Sequence, residues 1–267
     1  MNKKIKTVVI CVCIFLIGFA AVCSYKAYSI EKSYREARQA YDDIRAMYAT
    51  SNENEESGEE IREKNNYEDD WPDVEEKSPI AYDLTGMQQK ANQEVVGWLQ
   101  CLDTPIDYPV VQHIDDEFYL SHNANGDYSL SGAIFMHCTN FADMRDRNTI
   151  VHGHNMNDGS MFGTIKKWAQ QDYYEAHPIM YFNSLAGGNY RVEIFACFTT
   201  HATSDAYRFE FTGQEDFEVW LDWVCENSLI RSSVPVSADD KVITLSTCAY
   251  SFDNARTVVM GKLVPID

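Results

Sequence analysis

A cysteine and an arginine stand at the facing ends of two apolar runs near the C-terminus of this 267-residue chain. The run Val242–Thr247 predicts a β-strand that ends at Cys248, and Arg256 opens the next run, Thr257–Val264. If the two strands pair as antiparallel neighbours, Cys248 and Arg256 face each other at one end of the sheet. A guanidinium favours negative charge on a nearby sulfur and can donate hydrogen bonds to an oxyanion. The pair therefore predicts nucleophilic attack on a carbonyl, although a cysteine taken alone is more often a buried structural thiol.

One of the seven histidines is displayed in a setting that suits proton transfer. The segment Asn148–Met156 predicts a short strand followed by a glycine turn, which presents His154 beside Asn155. An imidazole in such a position can act as a general acid or base near neutral pH. His137 and His152 lie near predicted strand ends and are second-rank candidates. The other four have no supporting context: His113, His122, His177 and His201.

Short β-type runs must position these side chains, and they dominate the C-terminal two thirds of the chain. Seven runs are β-branched or aromatic and are separated by turn residues: Ile106–Val111, Ala133–Met136, Thr149–His152, Ile179–Phe182, Tyr190–Thr199, Val242–Thr247 and Thr257–Val264. Helical patterns are predicted over Asp83–Gln100, Ser160–Gln170 and Gln214–Ile230. Many short strands in one domain indicate a mainly β fold, either a barrel or a sandwich.

The N-terminus predicts a membrane anchor. Residues 7–25 carry no charge and are mostly apolar, and 19 residues of helix span roughly 28 Å, about the thickness of a bilayer core. Lysines in residues 1–6 predict that this tail stays in the cytoplasm and that the rest of the chain is exported. The alternatives are a cleaved signal peptide and lipidation at Cys23.

Residues 26–79 predict a juxtamembrane helix followed by an acidic linker, and residues 80–267 predict the compact extracellular domain. The helix has a narrow apolar stripe made of Tyr34, Ala37, Tyr41 and Ile44. Ser51–Pro79 contains twelve Asp and Glu residues against three Lys and Arg residues, which is typical of a solvated tether. The formal net charge of −19 argues against nucleic acid as a partner.

The eight cysteines form no CxxC pair outside the apolar N-terminal segment, which argues against a zinc ribbon or a thioredoxin motif. A disulfide framework is not expected in a chain of this size. The sequence leaves open whether an isolated disulfide forms among Cys101, Cys138, Cys197 and Cys225.

These motifs together resemble the sortase family, and specifically its class B. The resemblance lies in the TLSTC of Thr244–Cys248, in Arg256 and in the GHNM of Gly153–Met156. It extends over residues 82–264 through four further segments: Glu94–Leu99, Ile106–Val111, Phe118–Leu120 and Asp158–Phe162. The chain departs from the family pattern at His152, where the family often has tyrosine, and at His137, where an aspartate is common.

The resemblance implies a closed eight-stranded β-barrel with N-terminal helices and an extra helix before the penultimate strand. It implies that Cys248 attacks the carbonyl after the threonine of a C-terminal sorting motif in exported proteins and forms a thioester. His154 would serve as acid and base, Arg256 would hold the oxyanion, and an amine of the peptidoglycan cross-bridge or its precursor would accept the protein. The setting implied is the cell membrane of a Gram-positive organism, with no cofactor and no metal.

Substrate contacts are implied for Ser246, Thr247, Leu120 and His152. Ser246 shares a strand face with Cys248 because side chains alternate with a period of two, and strand packing is an equal alternative for it. For Leu120 the alternative is a place in the core.

Three other functions remain open at this point. An exported cysteine peptidase would use Cys248 and His154 for hydrolysis. A tethered binding module would need no nucleophile. A pilin-polymerising sortase often has a second membrane helix at its C-terminus, and the end of this sequence at Pro265–Asp267 weighs against that variant.

Overall fold

Eight strands close into a barrel in the computed structural model, which describes residues 3–50, 78–79 and 82–266. The acidic stretch Ser51–Pro79 therefore lies almost wholly outside the described residues. The strands are β1 (Val95–Gln100), β2 (Asp107–Val111), β3 (Ile134–Met136), β4 (Asn148–His152), β5 (Ile179–Ser184), β6 (Gly188–His201), β7 (Val242–Cys248) and β8 (Ala255–Ile266). Around the barrel they follow the order β1-β2-β3-β4-β7-β8-β6-β5.

Most neighbouring strands in the barrel are antiparallel, and two pairs are parallel. The parallel pairs are β2 with β3 and β4 with β7. A parallel pair requires a long connection, and the chain between β4 and β7 supplies β5, β6 and two α-helices. The expected closed, eight-stranded, mainly β fold is confirmed, and closure removes the unpaired edges that a sheet of this size would expose.

The helices are α1 (Lys3–Tyr48), α2 (Leu84–Lys90), α3 (Gln171–Ala176) and α4 (Gln214–Asn227). The extra helix expected before the penultimate strand is α4, which ends three residues before the predicted bound. Its apolar face packs Phe217, Trp220, Leu221 and Val224 against a cluster that includes side chains of β6 and β8.

Two predicted helices were wrong in their extent. The pattern over Asp83–Gln100 forms a helix only as far as Lys90, and Val95–Gln100 forms β1 instead. The adjacent β-branched residues Val95 and Val96 favour the strand. Glycine at position 97 lets β5 approach closely, because a Cβ there would lie 2.6 Å from the carbonyl oxygen of Asn183 on β5. The pattern over Ser160–Gln170 gives a 3₁₀ turn at Ile165–Ala169 that leads into α3.

α1 joins the apolar N-terminal segment to the barrel in one continuous helix. By length and composition it could cross a membrane, and its large apolar side chains between residues 12 and 30 are exposed to half of their area or more. Its last turns are different, since Ala37, Tyr41, Ile44 and Tyr48 are buried. The predicted stripe is therefore a packing face, and it makes the end of α1 part of the barrel's main apolar cluster.

Candidate active site

The nucleophile candidate and the arginine are directly opposite each other in the sheet. β7 pairs with β8 in antiparallel register, and the last pair of that register is Cys248 with Arg256. The connection between them is a tight loop in which Asn254 adopts a left-handed φ of 56° and the Ala249 amide bonds the Ala255 carbonyl at 2.9 Å. The pairing expected from the sequence is confirmed.

β4 brings His154 to the same end of the barrel. β4 runs parallel to β7, with His152 opposite Ser246. The chain then turns at Gly153, whose amide donates to the Ser246 carbonyl at 3.1 Å and whose carbonyl accepts from the Thr247 hydroxyl at 2.7 Å. A Cβ at Gly153 would lie 2.7 Å from the buried ring of Phe162, so a side chain at this position would displace that ring.

The imidazole of His154 is held by a backbone carbonyl. Its Nε2 lies 2.7 Å from the carbonyl oxygen of Leu120. Because a carbonyl can only accept, Nε2 carries the hydrogen in this contact. The nitrogen left to gain or lose a proton is therefore Nδ1.

All seven predicted site residues line one cleft of about 290 Å³. They are Cys248, His154, Arg256, Ser246, Thr247, Leu120 and His152. Its other lining residues are Asp116, Phe135, His137, Gly153, Ala202 and Tyr207. The wall combines aromatic and apolar surface with a few polar groups, which suits an extended peptide.

The predicted substrate contacts differ in how free their side chains are. Ser246 is buried and its hydroxyl lies 2.6 Å from the Tyr207 hydroxyl. Thr247 is also buried, and its hydroxyl is engaged by Gly153. Leu120, in contrast, keeps 45% of its surface exposed, so a place in the core is excluded. Leu120 thus offers an apolar side chain to the cleft while its carbonyl holds His154.

Histidines form the inner wall of the cleft. His152 lies 5.6 Å from the His137 ring in an edge-on arrangement and 6.3 Å from the Tyr207 ring. Burial lowers the pKa of His152 to about 4, and the neighbouring His137 and Arg256 act in the same direction while Asp116 opposes them. His152 is therefore a neutral imidazole at physiological pH, and its Nε2 has no hydrogen-bond partner among the described residues.

Asp116 anchors this wall. Its carboxylate lies 2.5 Å from Nδ1 of His137 and accepts from the Cys138 amide at 2.8 Å. Ligand atoms of Asp116, His137 and Cys138 all lie within 4.8 Å of one another, close enough to hold one metal ion. The sequence implied no such site. In the structure the carboxylate is already engaged by both neighbours.

The other thiols beyond α1 do not compete with Cys248 for the cleft. Burial raises the pKa of Cys101 and of Cys197 to about 12. Burial also raises the pKa of Cys138 and Cys225. All four are free cysteines, which answers the open question of an isolated disulfide among them.

Two residues of the site had no prominent signal in the sequence. Asn155 donates from Nδ2 to the Cys248 carbonyl at 2.8 Å, and only its place beside His154 hinted at a role. Tyr207 comes from a 3₁₀ turn after β6, where neither periodicity nor a motif marks it.

Comparison with known proteins matches this architecture to one family. A family model described as the sortase domain matches residues 99–264. Sortase B of Listeria monocytogenes is 43% identical over 180 residues, which is 66% of this chain and 72% of the relative. A solved sortase B from B. anthracis in complex with AAEK1 superposes with a TM-score of 0.71 at 31% identity, over 88% of this chain and 99% of that one. The sortase B–substrate complex from Staphylococcus aureus gives 0.65 at 29% identity, over 69% and 85%.

Proposed function

The chain belongs to the sortase family, as a class B cysteine transpeptidase, and from this premise we propose that Cys248, His154 and Arg256 carry out its reaction. Their convergence on one cleft is the observation that carries the proposal. Cys248 and Arg256 are opposite each other in the sheet, and His154 enters from the neighbouring parallel strand.

In the first half-reaction the Cys248 thiolate attacks the threonine carbonyl of a sorting motif. A carbon–sulfur bond forms and the carbonyl oxygen becomes an oxyanion. When the oxyanion collapses, the peptide carbon–nitrogen bond breaks and His154 gives a proton to the leaving amine. The product is a thioester between the shortened substrate and Cys248.

In the second half-reaction an amine attacks the thioester. Its proton passes to His154, the carbon–sulfur bond breaks and Cys248 leaves as a thiolate. Because Leu120 engages Nε2 of His154, both proton transfers occur at Nδ1 in this arrangement.

Arg256 stabilises the oxyanion. A guanidinium has five N–H donors, and Nη1 of Arg256 bonds the adjacent Ala255 carbonyl at 3.0 Å. That bond holds one terminal nitrogen of the guanidinium at the rim of the cleft and leaves further donors for an oxygen that becomes charged. One such donor contributes about 3 kcal/mol to transition-state stabilisation.

The substrates proposed are exported proteins with a C-terminal sorting motif, and the acceptor is an amine of the peptidoglycan cross-bridge or its precursor. The substrate complex of the S. aureus relative supports the first of these. The exposed apolar part of α1 supports a single-pass membrane anchor. We infer that residues 1–6 are cytoplasmic, that 7–25 span the membrane, and that 26–79 connect the span to an extracellular catalytic domain at 80–267.

The proposal is tested by mass spectrometry of the full chain in detergent micelles with a library of sorting peptides. We expect a covalent adduct on Cys248, and its release as a new peptide product when a glycine peptide is added as the amine. Cys248→Ala should form no adduct, whereas the matched change Cys225→Ala on α4 should leave it intact.

The outcome also separates the rival functions. Product that forms at the same rate without the amine indicates a peptidase. A chain that forms no adduct with any peptide contradicts the enzymatic proposal. Transfer to a lysine side chain of a pilin-type peptide in preference to the glycine peptide indicates a pilin-polymerising enzyme.

A further inference from the structure

The end of α1 packs against the barrel on the side that supports His154. Tyr41 is only 2% exposed there, and its hydroxyl donates to the carbonyl oxygen of Gly132 at 2.8 Å. Burial strongly raises the pKa of Tyr41, so the phenol keeps its hydrogen throughout the working range of an enzyme. This bond joins the part of α1 beyond the proposed membrane span to the loop before β3.

Gly132 in turn lies against the imidazole of His154. It has a left-handed φ of 59°, and a Cβ placed on it would be 3.0 Å from Cδ2 of His154 and 3.1 Å from the Leu120 carbonyl oxygen. That same carbonyl accepts from Nε2 of His154. Gly132 and Leu120 therefore lie against the His154 ring on two sides, and the Tyr41 hydroxyl bonds the carbonyl of Gly132.

A second contact from α1 reaches the loop that follows His154. Nη1 of Arg38 lies 3.2 Å from the carboxylate of Asp158, which also accepts from the amide and hydroxyl of Ser160. Arg38 lies one turn before Tyr41 on the same helix.

Tyr41 also touches that loop through one intermediate ring. It packs edge-on against Tyr108 at 5.2 Å, and the Tyr108 hydroxyl accepts from the amide of Met161 at 3.0 Å. Met161 pairs with Asn155, the residue that bonds the Cys248 carbonyl. The helix thus contacts the surroundings of His154 both before β3 and after β4.

We propose that Tyr41 is a positioning residue for His154, so that the end of α1 is a working part of the active site rather than a spacer between membrane and barrel. The inference rests on the proposed role of His154. Tyr41 does not line the cleft, so it acts on the ring through Gly132 and not on the peptide. Catalysis depends steeply on such placement, because a small displacement of a proton donor removes much of its effect.

The test compares Tyr41→Phe with wild type in the full chain in detergent micelles, using a sorting peptide and a glycine peptide. The change removes one hydroxyl and keeps the ring packing. We expect kcat to fall roughly five- to tenfold, the range of one lost hydrogen bond, while KM for the peptide stays within twofold.

Tyr48→Phe is the matched control. Tyr48 lies two turns further along the same stripe and is also buried. Its carbonyl accepts from the amide of Asp83 at the start of α2, rather than bonding Gly132 or Leu120 beside His154. An unchanged kcat in Tyr41→Phe overturns the inference, and so does an equal loss in Tyr48→Phe, which would indicate general packing.

Arg38→Gln keeps the proposal testable if Tyr41→Phe does not fold. Arg38 is half exposed, and its loss should lower kcat two- to threefold with KM retained; no change in kcat contradicts the inference. His154→Ala separates the two levels of the argument. Full activity in that variant overturns the proposed function, whereas a Tyr41→Phe variant with the kcat of wild type overturns only the role of α1.

Discussion

The side-chain amide of Asn155 donates a hydrogen bond of 2.8 Å to the carbonyl oxygen of Cys248. Asn155 directly follows the proposed acid and base, and Cys248 ends the strand that presents the nucleophile. The bond therefore ties two segments that are 93 residues apart in sequence. It also occupies the carbonyl at the point where β7 ends, which limits the movement of the sulfur relative to His154.

Asn155→Ala should slow acyl-enzyme formation about fivefold, because one hydrogen bond contributes about 1 kcal/mol. Asn155→Asp should be worse, since a carboxylate oxygen would then face a carbonyl oxygen. Single-turnover adduct formation with a sorting peptide measures both. Asn157→Ala, two residues further along the same loop, is the control and should react like wild type. Equal rates in Asn155→Asp and wild type would show that the bond does not hold the nucleophile.

Arg256→Ala should lower kcat by roughly 10²- to 10³-fold, the usual cost of removing one oxyanion donor. Arg256→Lys should recover only a small part of this, because a single ammonium lacks the planar fork of donors. Steady-state kinetics with a sorting peptide give both values, and Arg231→Ala, at an exposed arginine beyond the end of α4, should be neutral. If Arg256→Lys were as active as wild type, Arg256 would act through its positive charge and not through the geometry of its donors.

Cysteine reactivity should follow burial. In folded protein treated briefly with iodoacetamide, Cys248 should be alkylated before Cys101 and Cys197, because it lies in an open cleft and they are buried. Cys101 and Cys197 should stay unmodified until denaturant is added, because burial both shields them and raises their pKa to about 12. Peptide mapping at several times gives the order. Modification of Cys101 before Cys248 would contradict the assignment of the nucleophile.

Local patterns predicted the elements that carry the proposed chemistry. The register of Cys248 and Arg256 followed from two consecutive apolar runs joined by a short loop, because such runs usually pair as neighbours. The stripe on α1 followed in the same way from helical periodicity, although the sequence alone did not show that it packs against the barrel.

Features that depend on distant contacts were not predictable from the residues alone. β1 was taken for the end of a helix, since the need for Gly97 arises only when β5 lies against it. The parallel pairing of β4 with β7 joins segments about 90 residues apart and leaves no local mark. The inner wall of the cleft is similar, because Asp116, His137 and Tyr207 come from three loops or strand ends that meet only in the closed barrel.

His152, the half-buried histidine of that wall, makes stability depend on pH. The folded-state pKa of His152 is about 4, whereas an unfolded chain has its histidines near 6.5. Between these values the unfolded chain binds a proton that the folded chain does not, so the free energy of unfolding falls as pH is lowered from about 6.5 to about 4. The charged and titratable groups that set this shift are His137, Asp116 and Arg256.

His152→Gln should flatten this dependence, because glutamine does not titrate. Urea unfolding followed by tryptophan fluorescence at several pH values between 7.5 and 4.5 measures the slope for wild type and variant. His201→Gln is the matched control, since His201 is exposed and should leave the slope unchanged. The variant itself can be less stable than wild type at every pH without affecting the argument, because only the slope reports the proton. A slope in His152→Gln as steep as in wild type would show that another group binds the proton, and that His152 is not the neutral base of the cleft wall.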